Sequence, residues 1–493
     1  MRPSPIAGAV SRLATACAML ALAAAPAHAD TLKDALVGAY KTNPTLEAAR
    51  ANQRATDENV PIERADALPS VSGTGTYSEF VYDSSDTPGP SRSLGGQVSL
   101  AVPIYSGGGT KNAIRAAKVR VEAGQADLRA TESSVFSHVV AAYMDVIQNE
   151  AIVGLTGNNV QVLEVNLQAT SDRFQIGDLT RTDVAQSEAR LALARGDFRS
   201  AQANLIGARE RYIQLVGDAP DDLQPPPPLP GFPANTEEAV SVALENNPDL
   251  ISAQERAKAA DYDIEVAGST RLPRFDIVSG GSYTNLLGSA PPFGDPSIPD
   301  IYANSSADLS IGARVTIPLY QGGRPAALER QAQARYSAAL EQEIGAERDA
   351  IAQVRSAWSS WQAASTIVTE TQSAVSAAEL SLEGVRAENT VGNRTILDIL
   401  NAQQELLSAQ VQLVTARRNA YVAGFTLLAA MGRAEARDLG LGDETTLYDP
   451  DLNYERVRGK IGDWTFDPDP VVQSTRTVDI PAADAEIPPA QQQ

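Results

Sequence analysis

Apolar positions recur every seven residues in two parts of the chain. Ile399, Leu406, Leu413, Ala420 and Leu427 form one such series, and Leu400, Leu407, Val414, Tyr421 and Leu428 form a second beside it. Val184, Leu191, Phe198, Leu205 and Tyr212 repeat the spacing earlier. A sustained heptad predicts helices over 180–217 and 395–432 that pack against neighbours as coiled coils. Gln403, Gln410 and Arg417 read as the polar outer face. The preceding stretches, 108–175 and 324–390, contain no proline except Pro325, which falls in the first turn where it is tolerated. Each predicts one helix on the order of 100 Å long. Their alanine-rich, modestly apolar composition suits a thin wall rather than a globular core.

Elsewhere the period is two. Leu309, Ile311, Ala313, Val315 and Ile317 share one face, and Asp308, Ser310, Gly312, Arg314 and Thr316 share the other. Leu94, Val98, Leu100 and Val102 alternate with Gly95, Gln97, Ser99 and Ala101. Strands are predicted at 70–82, 93–104, 275–287 and 306–319, joined by the loop-like "DSSDTPGPSRS" and "LGSAPPFGDPSIPD". Four strands fall short of the roughly eight that close a barrel. A half-buried sheet in a soluble domain is the competing reading. A full charge on the polar face instead fits an outward apolar band and a wet interior, with other subunits completing the barrel.

The elements occur twice. "TLKDALVGAYKTNPTLEAAR" (31–50) resembles "NTEEAVSVALENNPDLISAQ" (235–254), so that Asn43-Pro44-x-Leu46 falls on Asn247-Pro248-x-Leu250 at an offset of 204. "VPIYSGGG" (102–109) matches "IPLYQGGR" (317–324) at an offset of 215. That second offset carries Gly177 onto Gly392, Thr180 onto Thr395 and Asp183 onto Asp398. Two tandem structural repeats follow, 30–217 and 235–432. The Pro-rich 218–234 is a semi-rigid strap between them. Residues 433–493 form an acidic tail, with disorder expected over about its last 20 residues.

The first 29 residues read as a secretory signal: Arg2 and Arg12, an apolar run, then "AHA" before Asp30. Cys17, the only cysteine, lies inside that run, so the mature chain has neither a disulfide nor a thiolate. Of 40 basic and 61 acidic residues, the leader removes two arginines and leaves a net charge near −23. Such a chain repels nucleic acid. No apolar run after the leader is long enough for a transmembrane helix, so membrane insertion requires a β-barrel. One mature histidine and no metal-spacing or nucleophile motif argue against an enzyme, a cofactor or a metal site. "GGG" at 107–109 lacks the lysine-serine or lysine-threonine pair of a phosphate loop. Trp358 and Trp361 are expected to pack against a neighbouring helix.

The duplicated "NP-x-L", the "LP" before a strand, "P-[IL]-Y-x-GG" after one, and "G-x-x-T-x-x-D-[VI]" between helices resemble TolC-type outer-membrane efflux proteins over roughly 31–432. The resemblance implies a mainly α fold with a membrane β-barrel. Long antiparallel helical hairpins would form an α-barrel tunnel, and each protomer would give four strands to a 12-stranded barrel. It further implies a homotrimer among outer-membrane lipid in a Gram-negative bacterium. Its partners would be a periplasmic adaptor (membrane fusion) protein and an inner-membrane ABC or RND-type pump, and its cargo drugs or secreted polypeptides.

The hairpin tips then become a periplasmic aperture, with Gly177 and Gly392 making the turns. The resemblance places the gate on Thr182 and Asp183 of the first repeat and Arg394 and Asp398 of the second. Arg394 would clasp Asp183 or the Thr182 hydroxyl. Three Asp398 carboxylates would form a ring whose mutual repulsion raises their pKa values. Asn389 and Asn401 depart from the family, standing where a clasping tyrosine and a second acidic ring are expected. Simple turn glycines and helix-end charges would explain the tip without a gate. An exported trimeric coiled-coil structural or adhesive protein would explain the heptads and the acidity, but not the duplicated strand hairpins.

Overall fold

The computed structural model describes residues 30–82, 90–289, 303–442 and 447–487. The leader over 1–29 with Cys17, most of the two strand-linking loops, and 488–493 lie outside the described residues. The first repeat runs α1 (Leu32–Thr42), α2 (Pro44–Asp57), α3 (Asn59–Ala65), β1 (Ser70–Glu79), β2 (Arg92–Tyr105), α4 (Gly109–Gln175) and α5 (Arg181–Val216). The second runs α6 (Thr236–Asn246), α7 (Pro248–Ser269), β3 (Arg274–Asn285), β4 (Ser305–Thr316), α8 (Arg324–Thr390) and α9 (Ile396–Ala430), with α10 (Pro450–Val457) in the tail. Three of the strands, β1, β3 and β4, stop two to three residues short of the sequence-based expectation.

The duplicated Asn-Pro-x-Leu does the same mechanical job in each repeat. Asn43 ends α1 and caps α2, accepting from the backbone N–H of Thr45 and Leu46. Pro44 follows at the first helical position, where its missing N–H costs nothing. The Asn43 amide then donates to the carbonyl of Leu215, 2.9 Å away at the end of α5. Asn247 likewise caps α7 and donates to Ala430 O at 3.0 Å, at the end of α9. Each motif thus ties the start of a repeat to the end of its returning helix. The Tyr-x-Gly-Gly exits serve the opposite end. Gly107, Gly108, Gly322 and Gly323 all take φ between 61° and 85° where strand turns into helix, a region open mainly to glycine.

The strands form one antiparallel sheet in the order β1-β2-β3-β4, so the two repeats meet at β2–β3. Opposed residues share a face, so the register sets most apolar residues on one face of the sheet and most hydroxyls on the other. Val71 lies opposite Leu100, and Val315 opposite Phe275. On the other face Ser72 meets Ser99, and Asp308 meets Ser282. A bulge between Pro103 and Tyr105 ends the regular pairing of β2. The outer edges of β1 and β4 have no partner strand among the described residues. No described helix is long and apolar enough to cross a membrane.

The main core lies midway along the helices, where Phe136 and Tyr143 of α4 pack with Tyr212 of α5, Leu36 of α1 and Phe425 of α9. The Pro-rich strap docks there. Tyr143 Oη donates to Gln224 O at 2.5 Å, with Asp30 O 3.0 Å away. Phe232 stacks on Trp361 with ring centroids 4.6 Å apart. Trp361 therefore grips the strap, with Trp358 packed beside it. The tail also differs from expectation. Asn453 donates to buried Asp57 at 2.6 Å. Further on, Arg209 of α5 holds Asp484 at 2.8 Å, and Ile487 packs on the main core. Residues 474–487, expected to be disordered, are held by these contacts along α5.

Candidate functional site

The far ends of the two hairpins carry the residues singled out from sequence. In the first tip, α4 ends at Gln175 and Gly177 turns the chain with φ 81°. Thr180 then caps α5. In the second, α8 ends at Thr390, Gly392 turns with φ 80°, and Thr395 caps α9. The two caps have the same geometry. The Asp183 carboxylate accepts from Thr180 N at 2.8 Å and Thr180 Oγ1 at 2.7 Å, while Asp183 N donates back to the hydroxyl at 3.3 Å. The Asp398 carboxylate accepts from Thr395 N at 2.9 Å and Oγ1 at 2.8 Å, with the same return bond at 3.3 Å. These are reciprocal capping boxes with aspartate in place of glutamate.

Within one protomer the caps set the electrostatics of both aspartates. Donation from the Thr395 backbone and hydroxyl holds the Asp398 carboxyl below its ordinary range, and Thr180 does the same for Asp183. The rise expected for Asp398 required several carboxylates converging; a single tip gives the opposite direction, because hydrogen bonds to the ionised form favour it.

Nor does the structure join Arg394 to Asp183 or Thr182 within one protomer. Arg394 Nε donates to Glu388 Oε2 at 2.7 Å, in its own hairpin. That bond lifts the guanidinium pKa above its ordinary value. Asn389 donates to Arg394 O at 2.7 Å, so the residue in the tyrosine's place braces the turn from within. In the first tip, Arg173 grips Asp178 in a matching way, Nη2 to Oδ2 at 2.6 Å. Arg173 and Glu388 are 215 positions apart, so the same helix position fastens each turn with the charges reversed. Sequence reading missed both residues, although opposite charges at one repeat register were the available signal.

Gln403 also needs correction. It is buried, at 7 % exposure, and accepts from Asn166 Nδ2 at 3.1 Å rather than facing solvent. Asn401 accepts from Arg190 Nη2 at 2.9 Å. Leu163, Leu191, Ala194 and Leu400 form a small apolar cluster beside them, joining α4 and α5 to α9.

The Outer membrane efflux protein family matches residues 36–218 and 239–433, one segment in each repeat. The chain belongs to this family. It is an export channel of the outer membrane, and the coiled-coil adhesin reading is set aside. Its similarity to the outer membrane efflux protein BepC of Brucella suis is 33% identity over 437 residues, covering 88% of this chain and 92% of BepC. The outer membrane protein TolC of Escherichia coli is 24% identical, with 84% of each chain covered. The fold superposes on the CmeC outer membrane channel of Campylobacter jejuni with a TM-score of 0.70 at 18% identity, over 87% of this chain and 89% of that one. The efflux-family fold thus extends over sheet, hairpins and tips alike.

Proposed function

We propose that three copies of this chain close a 12-stranded barrel and a helical tunnel below it. The complex passes drugs or secreted polypeptides from an inner-membrane ABC or RND-type pump, coupled through a periplasmic adaptor. One observation carries the assembly: a four-stranded sheet, apolar on one face, with two edges left without a partner among the described residues. In a membrane such edges require closure, and four strands are too few to close on themselves. The apolar face of Val71, Leu309 and Ile311 would meet lipid. The hydroxyl-rich face of Ser72, Thr74 and Ser310 would meet water.

The tips form the gate in this reading. Arg394 exchanges its partner, from Glu388 in its own turn to Asp183 and the Thr182 hydroxyl of a neighbouring protomer. Both bonds lie in water, where an exposed ion pair contributes little. Near-equality is the useful property: the mouth closes weakly, and an adaptor that binds the open form better shifts the balance. Replacing Asp183 and Arg394 with alanine is expected to raise single-channel conductance in planar bilayers; unchanged conductance rules out the clasp. Deleting the gene and scoring drug sensitivity beside the secreted proteome identifies the cargo.

A further inference from the structure

We infer that Arg190 is a second gate residue, a latch that fastens the two hairpins of one protomer above the tip and places positive charge at the aperture. The inference rests on the tip-gate reading above. Arg190 lies on α5, two turns beyond Asp183, and its Nη2 donates to Asn401 Oδ1 at 2.9 Å on α9. This is the only hydrogen bond between α5 and α9 among the described residues. Ala374 and Ala377 of α8 line the groove beside it with Arg190 and Asn401, and side chains that short cannot bridge it. Leu191, the next residue, is buried against Leu400, so the guanidinium leaves the helix from a fixed backbone position. Any movement that swings α8 and α9 away from α5 must break this bond.

The bond also changes the field at the mouth. Asp398 and Asn401 are three residues apart on α9 and therefore share a face. A carboxylate at both positions would make the passage strongly cation-attracting. Here the upper position is a neutral amide that has recruited a guanidinium from the other repeat. In an assembly of three, three positive groups sit about one helical turn from three Asp398 carboxylates, and the aperture has mixed charge.

The test uses the full-length channel in planar bilayers under a salt gradient. Arg190→Ala is expected to raise the open-to-closed ratio about tenfold, the combined effect of three exposed links, and to shift the reversal potential toward cations. Asn401→Asp turns the link into an ion pair and lowers the open probability. Arg190→Gln retains a donor without the charge: closure survives, while the reversal potential still moves. Arg190→Ala leaving both quantities unchanged, while the Asp183→Ala/Arg394→Ala channel opens, overturns the latch alone. Silence in both channels overturns the tip gate and the latch together.

Discussion

Helices α4 and α8 are duplicates in sequence position and identical in length, 67 residues each. Their surroundings differ. Twenty-two residues of α4 are buried, including Phe136, Val139 and Tyr143. Only seven residues of α8 are buried, four of them alanine. The reason is position. α4 packs against α5, α7 and α9, and α1, α2 and α3 pack on it as well. Among the described residues α8 packs against α6, α7 and α9, and much of its length stays exposed. Duplication therefore supplied two walls of equal length, and the helices packed on α4 make it a core while α8 is left as a margin. An exposed margin on a helix of about 100 Å is what a neighbouring copy would cover in the proposed assembly.

The largest expected effect tests this asymmetry directly. Phe136 is fully buried, and Ile351 stands 215 positions on at the equivalent site of α8, where it is half-buried. Phe136→Ala is expected to destabilise the protein by about 3–5 kcal/mol, since the cavity cannot collapse inside a packed core. Ile351→Ala should cost about 1–2 kcal/mol, because only part of its methyl surface leaves water. Thermal unfolding of both variants in detergent measures the difference. Equal losses would mean that a neighbouring copy buries Ile351 as fully as the core buries Phe136, and the asymmetry would then belong to the single protomer alone.

A second prediction uses charge rather than volume. Glu132 of α4 accepts from Ala436 N at 2.5 Å among Arg50, Arg129 and Glu435, and burial pushes its carboxyl up to about 7. The folded protein therefore holds this proton more tightly than the unfolded chain does. Its cost is greatest above pH 7 and falls away as pH drops toward 4.5, the ordinary value. Glu132→Gln keeps an acceptor for Ala436 and is expected to stabilise the protein above pH 7 by on the order of 2–3 kcal/mol, with a smaller gain at pH 5. Glu347 occupies the equivalent place on α8, and Glu347→Gln is the control. A melting temperature that responds alike to both substitutions at pH 8 would contradict this account.

Much of this fold was legible because the signals are periodic and doubled. The heptad through Leu191, Leu205 and Leu428, the alternation of β4 and the 215-residue offset each constrain local geometry. Contacts that cross between elements were not legible. Gln403 follows the polar pattern of its own helix, and only the position of Asn166 on α4 makes it an interior residue. The placement of 474–487 draws on Arg209 and Glu210, some 275 positions before Asp484 and Ala483, and no local propensity encodes it. At the tips, sequence located the turn glycines and both aspartates. It did not show that within a protomer both aspartate carboxylates are engaged in capping.

The smallest effect concerns those caps, where the two halves do not differ. Thr180 and Thr395 bind Asp183 and Asp398 with distances that agree within 0.1 Å. Replacing either threonine with alanine removes an N-cap worth about 1 kcal/mol. In an isolated hairpin the two losses should match, read as equally faster amide exchange in the first turns of α5 and α9. Assembly is expected to break the match. If Arg394 of one protomer takes Asp183 of the next, Thr180→Ala frees a carboxylate to engage that arginine more fully, and the clasp recovers part of the lost cap. Asp398 receives no such partner, so Thr395→Ala keeps its whole cost. Equal exchange rates in the assembled channel would mean that no neighbour reaches Asp183, and the inequality of the two repeats would end with their long helices.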